Sequence, residues 1–169
     1  EYTGTVSTSI SAVYSDSALR PVARVSGSVA TVVAIGSILL ATVLSPSFTW
    51  WESALSDLGT VRRTAWLLNG GLFIGSVVGL PYAWALWTAS ADWLGGIRAG
   101  AFAAALLSMA GVGLFPAGEM LHLPFAVAFF LLCALTQTTD GIARLRLRTG
   151  KLALGTGVGS IAIWPLWAG

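Results

Sequence analysis

Six polar residues have the types that proton transfer or nucleophilic attack requires, and they fall in two segments. "WWESALSDLG" (50–59) carries Glu52, Ser53, Ser56 and Asp57, and "FPAGEMLH" (115–122) carries Glu119 and His122. A carboxylate beside an imidazole can share a proton near neutral pH. A serine beside such a pair is a candidate nucleophile or hydrogen-bond donor. His122 is the only histidine in the chain, and Glu52, Asp57 and Glu119 are three of its seven acids. No sequence-local triad exists, so any joint chemistry depends on the fold. Ser56, Asp57, His122, Glu52 and Glu119 are therefore catalytic candidates without an assigned reaction. One His, one Cys and scattered acids are a poor zinc set. Calcium on Glu52, Asp57 and Glu119 would be a weak one. Neither a metal nor a cofactor is expected.

The same residues have a purely structural explanation. Thr49-x-x-Glu52 has the form of a capping box, and Gly59 is a natural helix stop. A short helix near 50–58 would place Trp50, Ala54 and Leu58 on one face, with Trp51 and Leu55 beside them, and lie in a membrane interface. Asp57 would pair with Arg62 or Arg63 or cap the next helix. His122 would open a helix just before Pro124.

The elements that must position these residues follow from composition. Of the 169 residues, 56% are hydrophobic and 9% charged, and mean hydropathy is +0.81. A soluble domain carries about 25% charged residues, so this surface is built for lipid. A spanning helix needs about 20 mostly apolar residues. Five runs qualify: about 25–47, 64–88, 94–115, 120–139 and 152–168. They are continuous rather than alternating, which predicts helices and not barrel strands. The expected fold is an all-α polytopic bundle with the short interfacial helix near 50–58. Residues 1–19, rich in Ser and Thr, are expected as a weakly ordered polar arm, although Val6, Ile10 and Val13 form a weak helical stripe. Residues 20–169 form one transmembrane domain. Cys133 is alone, so no intrachain disulfide exists.

Charge sets the expected orientation. With the N-terminus in the cytoplasm, the inner side holds Arg20, Arg24, Arg98, Arg144, Arg146, Arg148 and Lys151, against Arg62 and Arg63 outside. Both polar segments then lie on the outer face. Arg144, Arg146, Arg148 and Lys151 are expected to meet anionic headgroups, and a nucleic-acid partner is not expected. Gly71, Gly75 and Gly79 repeat every fourth residue, which allows close helix packing within the chain, with a second copy or with another membrane protein. Arg98, near a span's start, is expected to snorkel. The spans hold no acid at mid-membrane, which counts against an ion-coupled transporter.

Four stretches resemble a known family: "SPSFTWWESALSDLG" (45–59), "LLNGGLFIGSVVGL" (67–80), "GVGLFP" (111–116) and "LHLPFAVAFF" (121–130). They look like the prokaryotic multi-pass membrane proteins grouped as a domain of unknown function. That resemblance implies six spanning helices, so a sixth would lie beyond residue 169. More distantly, Ser56-Asp57-x-Gly59 followed by His122 is similar to the eukaryotic membrane family of autophagy modulators and a GPI-anchor remodelling factor, which implies a lipid-facing role for the loop. Three functions are compatible with all this. The first is a non-catalytic helical component of a membrane assembly. The second is a lipid-binding or lipid-modifying protein using the outer cluster, and the third, ranked last, is a transporter. Membrane lipids are the expected partners.

Overall fold

The computed structural model describes the backbone of residues 5–168 and the side chains of residues 21–163. Every regular element among them is helical. The order is α1 (Thr5–Leu44), a 3-10 turn (Leu55–Gly59), α2 (Ala65–Thr88), α3 (Trp93–Leu114), α4 (His122–Ala143) and α5 (Arg148–Ala168). Four helices have stretches long and apolar enough to cross a membrane: Pro21–Leu44 of α1, and all of α2, α3 and α4. The chain is a multi-pass membrane protein. In lipid each backbone N–H and C=O must find its partner within the chain, and a helix achieves this residue by residue.

Four of the five expected spans fall on these four helices, though not with every end as expected, and the fifth, 152–168, falls on α5, which among the described residues is not one of the helices long and apolar enough to cross. The helix of α1 starts at Thr5, inside the segment expected as a polar arm. The side chains of that segment, and those of 164–169 at the end of the expected fifth span, lie outside the described residues. α4 continues to Ala143, past the expected end near 139. The reason is electrostatic. The Asp140 carboxylate accepts from Arg98 Nη1 at 3.0 Å and also from Arg144, so the acid that would have ended an apolar run is paired. Arg98 thus points at α4 rather than snorkelling alone.

Each helix packs on the next in the chain: α1 on α2, α2 on α3, α3 on α4 and α4 on α5. Lipid tails are as apolar as the side chains, so the hydrophobic effect contributes little to holding spanning helices together. Close dispersion contact does the work. The glycine row of α2 shows it directly. A Cβ on Gly71 would overlap Ser37 of α1, one on Gly75 would lie 3.1 Å from the Ala34 Cβ, and one on Gly79 would lie 3.0 Å from Leu106 of α3. The row is therefore packed against the chain's own α1 and α3. Gly157 of α5 makes the same approach to Thr138 of α4. Ala30, Ala34 and Ala41 are buried on the matching side of α1.

Neighbouring glycines provide an internal control. Gly71→Val should be overpacked against Ser37 and lose about 1–3 kcal/mol. Gly70→Ala, where a new Cβ meets nothing within 4 Å, should retain wild-type stability. Thermal unfolding of the two purified variants in the same detergent measures the difference. Equal melting would contradict this packing.

Candidate functional site

The segment 48–63 is not the expected interfacial helix. Thr49–Ser53 make one isolated turn, closed by Ser53 N–H to the Thr49 carbonyl at 3.0 Å. The chain then breaks and makes the 3-10 turn at Leu55–Gly59. The expected capping by Thr49 and Glu52 does not form. Instead the Thr49 N–H donates to the Ser53 hydroxyl at 3.1 Å, and the Ala54 N–H donates to the Asp57 carboxylate at 2.8 Å. Asp57, three residues after Ala54, serves the turn that Glu52 was expected to serve. Trp51 projects almost wholly outward, and Trp50 stands edge-on to Phe48 at 5.2 Å.

What holds the 3-10 turn is a clamp from α2. The Thr64 hydroxyl, fully buried, donates to the Leu58 carbonyl at 2.8 Å. The Asn69 amide donates to the Gly59 carbonyl at 2.9 Å. Leu58 is 1% exposed and joins the core between them. At Gly59 the approach is so close that a Cβ would lie 2.5 Å from Asn69 Oδ1. In "SDLG", then, Asp57 caps, Leu58 plugs, and Gly59 admits the clamp. Ser56 is left over, half-buried, with no hydrogen bond to its hydroxyl among the described residues.

His122 arrives from the other segment. It is the first residue of α4, and Pro124 sits in the first turn, where a missing N–H costs nothing. Its Nδ1 lies 2.7 Å from the Phe115 carbonyl. A carbonyl only accepts, so Nδ1 carries the proton, and in the neutral ring Nε2 keeps its lone pair. Phe115 and Phe125 stack at 5.6 Å beside this contact, which fixes the turn from α3 into α4.

Ser56 and His122, far apart in sequence, line the same cavity of about 370 Å³. Asn69 joins them, as does Ile38 of α1. The remaining wall is apolar, built chiefly from Leu72, Met109, Val112, Ala126 and Phe129. No Lys, Arg, Asp or Glu lines it. A mostly apolar concavity with a few convergent polar groups is the usual form of a small-molecule site.

The other candidates do not converge there. Glu52, Asp57 and Glu119 are exposed and outside the cavity lining. Among the described residues no three His, Cys, Asp or Glu side chains gather where a metal ion could sit, so the weak calcium set is not assembled. Arg144, Arg146, Arg148 and Lys151 are exposed at the turn between α4 and α5. Sequence reasoning missed Thr64 and the role of Asn69. The only signal was two hydrogen-bonding residues at the head of an apolar run.

A family model described as "Protein of unknown function (DUF998)" matches residues 28–169. This is most of the chain, and the chain belongs to that family. No curated protein and no solved structure gives a match. The eukaryotic likeness drawn on Ser56, Asp57 and His122 therefore rests on those residues alone.

Removing the clamp tests this account of the loop. Thr64→Val should strand the buried Leu58 carbonyl at a cost of about 1–3 kcal/mol. The segment 48–63 should become open to protease added to the purified protein in mild detergent. Cleavage no faster than in the wild type would contradict it.

Proposed function

We propose that this DUF998 protein is a non-catalytic lipid-binding membrane protein whose cavity beside the 3-10 turn receives the polar head of an amphiphile. One observation carries the reading: Ser56, His122 and Asn69 line one cavity among the spanning helices whose remaining wall is apolar. The Ser56 hydroxyl and the His122 Nε2 are hydrogen-bonding groups there not already used by the fold. Asn69 donates to Gly59 but keeps its side-chain oxygen as an acceptor. The set suits an uncharged, hydroxyl-bearing head, which both gives and takes hydrogen bonds. In hydrocarbon such bonds have no competing water, which makes them selective.

A hydrolytic role has less support. Asp57, the acid nearest Ser56 in sequence, is committed to the Ala54 N–H, and His122 is oriented by a carbonyl rather than a carboxylate. A subunit role through Gly71, Gly75 and Gly79 also has less support, because α1 and α3 occupy that face.

The topology belongs to the same proposal. α5 is the fifth span, and the N-terminus is cytoplasmic, since Arg24, Arg98 and the Arg144–Lys151 group share the end of the bundle opposite the cavity. Arg146, Arg148 and Lys151 then face anionic headgroups of the inner leaflet.

Native mass spectrometry of the protein extracted in mild detergent tests the head site. The wild type should retain an amphiphile at one per chain. Ser56→Ala should lower its occupancy about fivefold, near 1 kcal/mol for a lost hydrogen bond, at unchanged melting temperature, and His122→Ala should lower it as far while also melting earlier, because it loses the Phe115 carbonyl contact. Glu52→Gln and Glu119→Gln should leave the occupancy unchanged. Equal occupancy in all four variants would overturn the head site.

A further inference from the structure

The cavity that holds Ser56 and His122 has a neighbour. A second cavity, of about 630 Å³, adjoins it, and Met109 and Phe129 line both. It runs on between α1 and α4 to Arg24, with Tyr82 and Phe102 on its walls. With the Met109 and Phe129 side chains displaced, the two would form one groove of about 1,000 Å³. Among the described residues α1 and α4 have no extensive packing on one another, which leaves the groove a side opening toward the bilayer.

Its length and chemistry are both informative. Lining residues on α1 extend from Arg24 to Ile38, which at 1.5 Å per residue is about 21 Å. One leaflet offers a chain about 15 Å, half of a hydrocarbon core of about 30 Å. The polar groups sit at the two ends. Between them, Ser28 and Thr31 turn their hydroxyls onto the Arg24 and Gly27 carbonyls of their own helix, and Gly27, Ala30, Ala34 and Gly79 keep the trough open. An α-helix about 10 Å across would need roughly 1,600 Å³ over this length. The groove is too narrow for a protein segment of that kind and wide enough for a hydrocarbon chain.

We infer that this groove takes the tail of the amphiphile and selects a long single chain under an uncharged head. The inference rests on the head site proposed above. A tail gains little by leaving lipid for protein, so discrimination comes from fit. A chain ending at Met109 and Phe129 leaves the lower half short of contacts, and an unfilled apolar void forfeits dispersion. Met109 is the adaptable part of that waist, because its unbranched thioether can change rotamer as a chain passes.

The test is chain-length selection by the full protein in mild detergent. It is offered an equimolar mixture of monoacylglycerols with ten, fourteen and eighteen carbons, and retention is read by native mass spectrometry. The wild type should retain the eighteen-carbon chain over the ten-carbon chain by about threefold or more, a difference that packing alone can supply. Thr31→Trp, which fills the lower half from an exposed position, should abolish or invert that preference while total retention persists. Ile35→Trp, one turn along the same wall, repeats the test if Thr31→Trp does not accumulate. Equal retention of all chains by the wild type, or an unaltered preference in the filled variants, overturns the tail groove but spares the head site. Retention of no monoacylglycerol at all overturns the head site and this inference together.

Discussion

The clamp of α2 on the 3-10 turn is the interaction on which the site depends. Two side chains at the head of one helix, Thr64 and Asn69, hold the Leu58 and Gly59 carbonyls. Backbone that is not helical is tolerated near lipid only when its polar groups are satisfied by protein or water. The clamp satisfies them, and it presses Leu58 into the core. With Leu58 inward, Ser56 is set beside the cavity and Asp57 outside it. The geometry of the polar pair is thus a consequence of satisfying two carbonyls.

The same solvent explains the rest of the bundle. Spanning helices here are joined by surfaces of small residues rather than by large interlocking side chains. α1 meets α2 through Ala30, Ala34 and Ser37 against Gly71 and Gly75. Large apolar residues such as Val29, Leu39 and Val43 are turned outward. Sequential packing leaves α1 and α4 apart, and the space between them becomes the groove. The ion pair of Arg98 with Asp140 ties α3 to α4 at the end opposite the cavity. Charge is thereby kept from the apolar stretch of both.

The spans were legible because a 20-residue apolar run is a direct demand of bilayer thickness, and the demand is local. The ends were less so. Asp140 reads as a helix boundary until Arg98, forty-two residues earlier, is known to face it. The loop was misread for a related reason. Thr49 with Glu52 and Ala54 with Asp57 are competing cap arrangements of equal spacing, and only the second agrees with a turn clamped by Thr64 and Asn69. Ser56 and His122 were both legible as chemistry-bearing residues. Their meeting was not, since it depends on how α2, α3 and α4 pack. Nor was the separation of Glu52, Asp57 and Glu119 from them, which follows because Asp57 turns to its own loop's backbone while Glu52 and Glu119, on different loops, are exposed.

The central claim is that two distant segments meet at one cavity. It is tested most directly by joining them. Ser56→Cys and His122→Cys, placed together in a Cys133→Ala chain, would be treated in native membranes with a short bifunctional thiol reagent. The account predicts an intrachain cross-link, seen as one joined peptide after digestion, and protection from it when monoacylglycerol is added first. Efficient labelling of both cysteines with no cross-link would place the two segments apart and contradict the shared site.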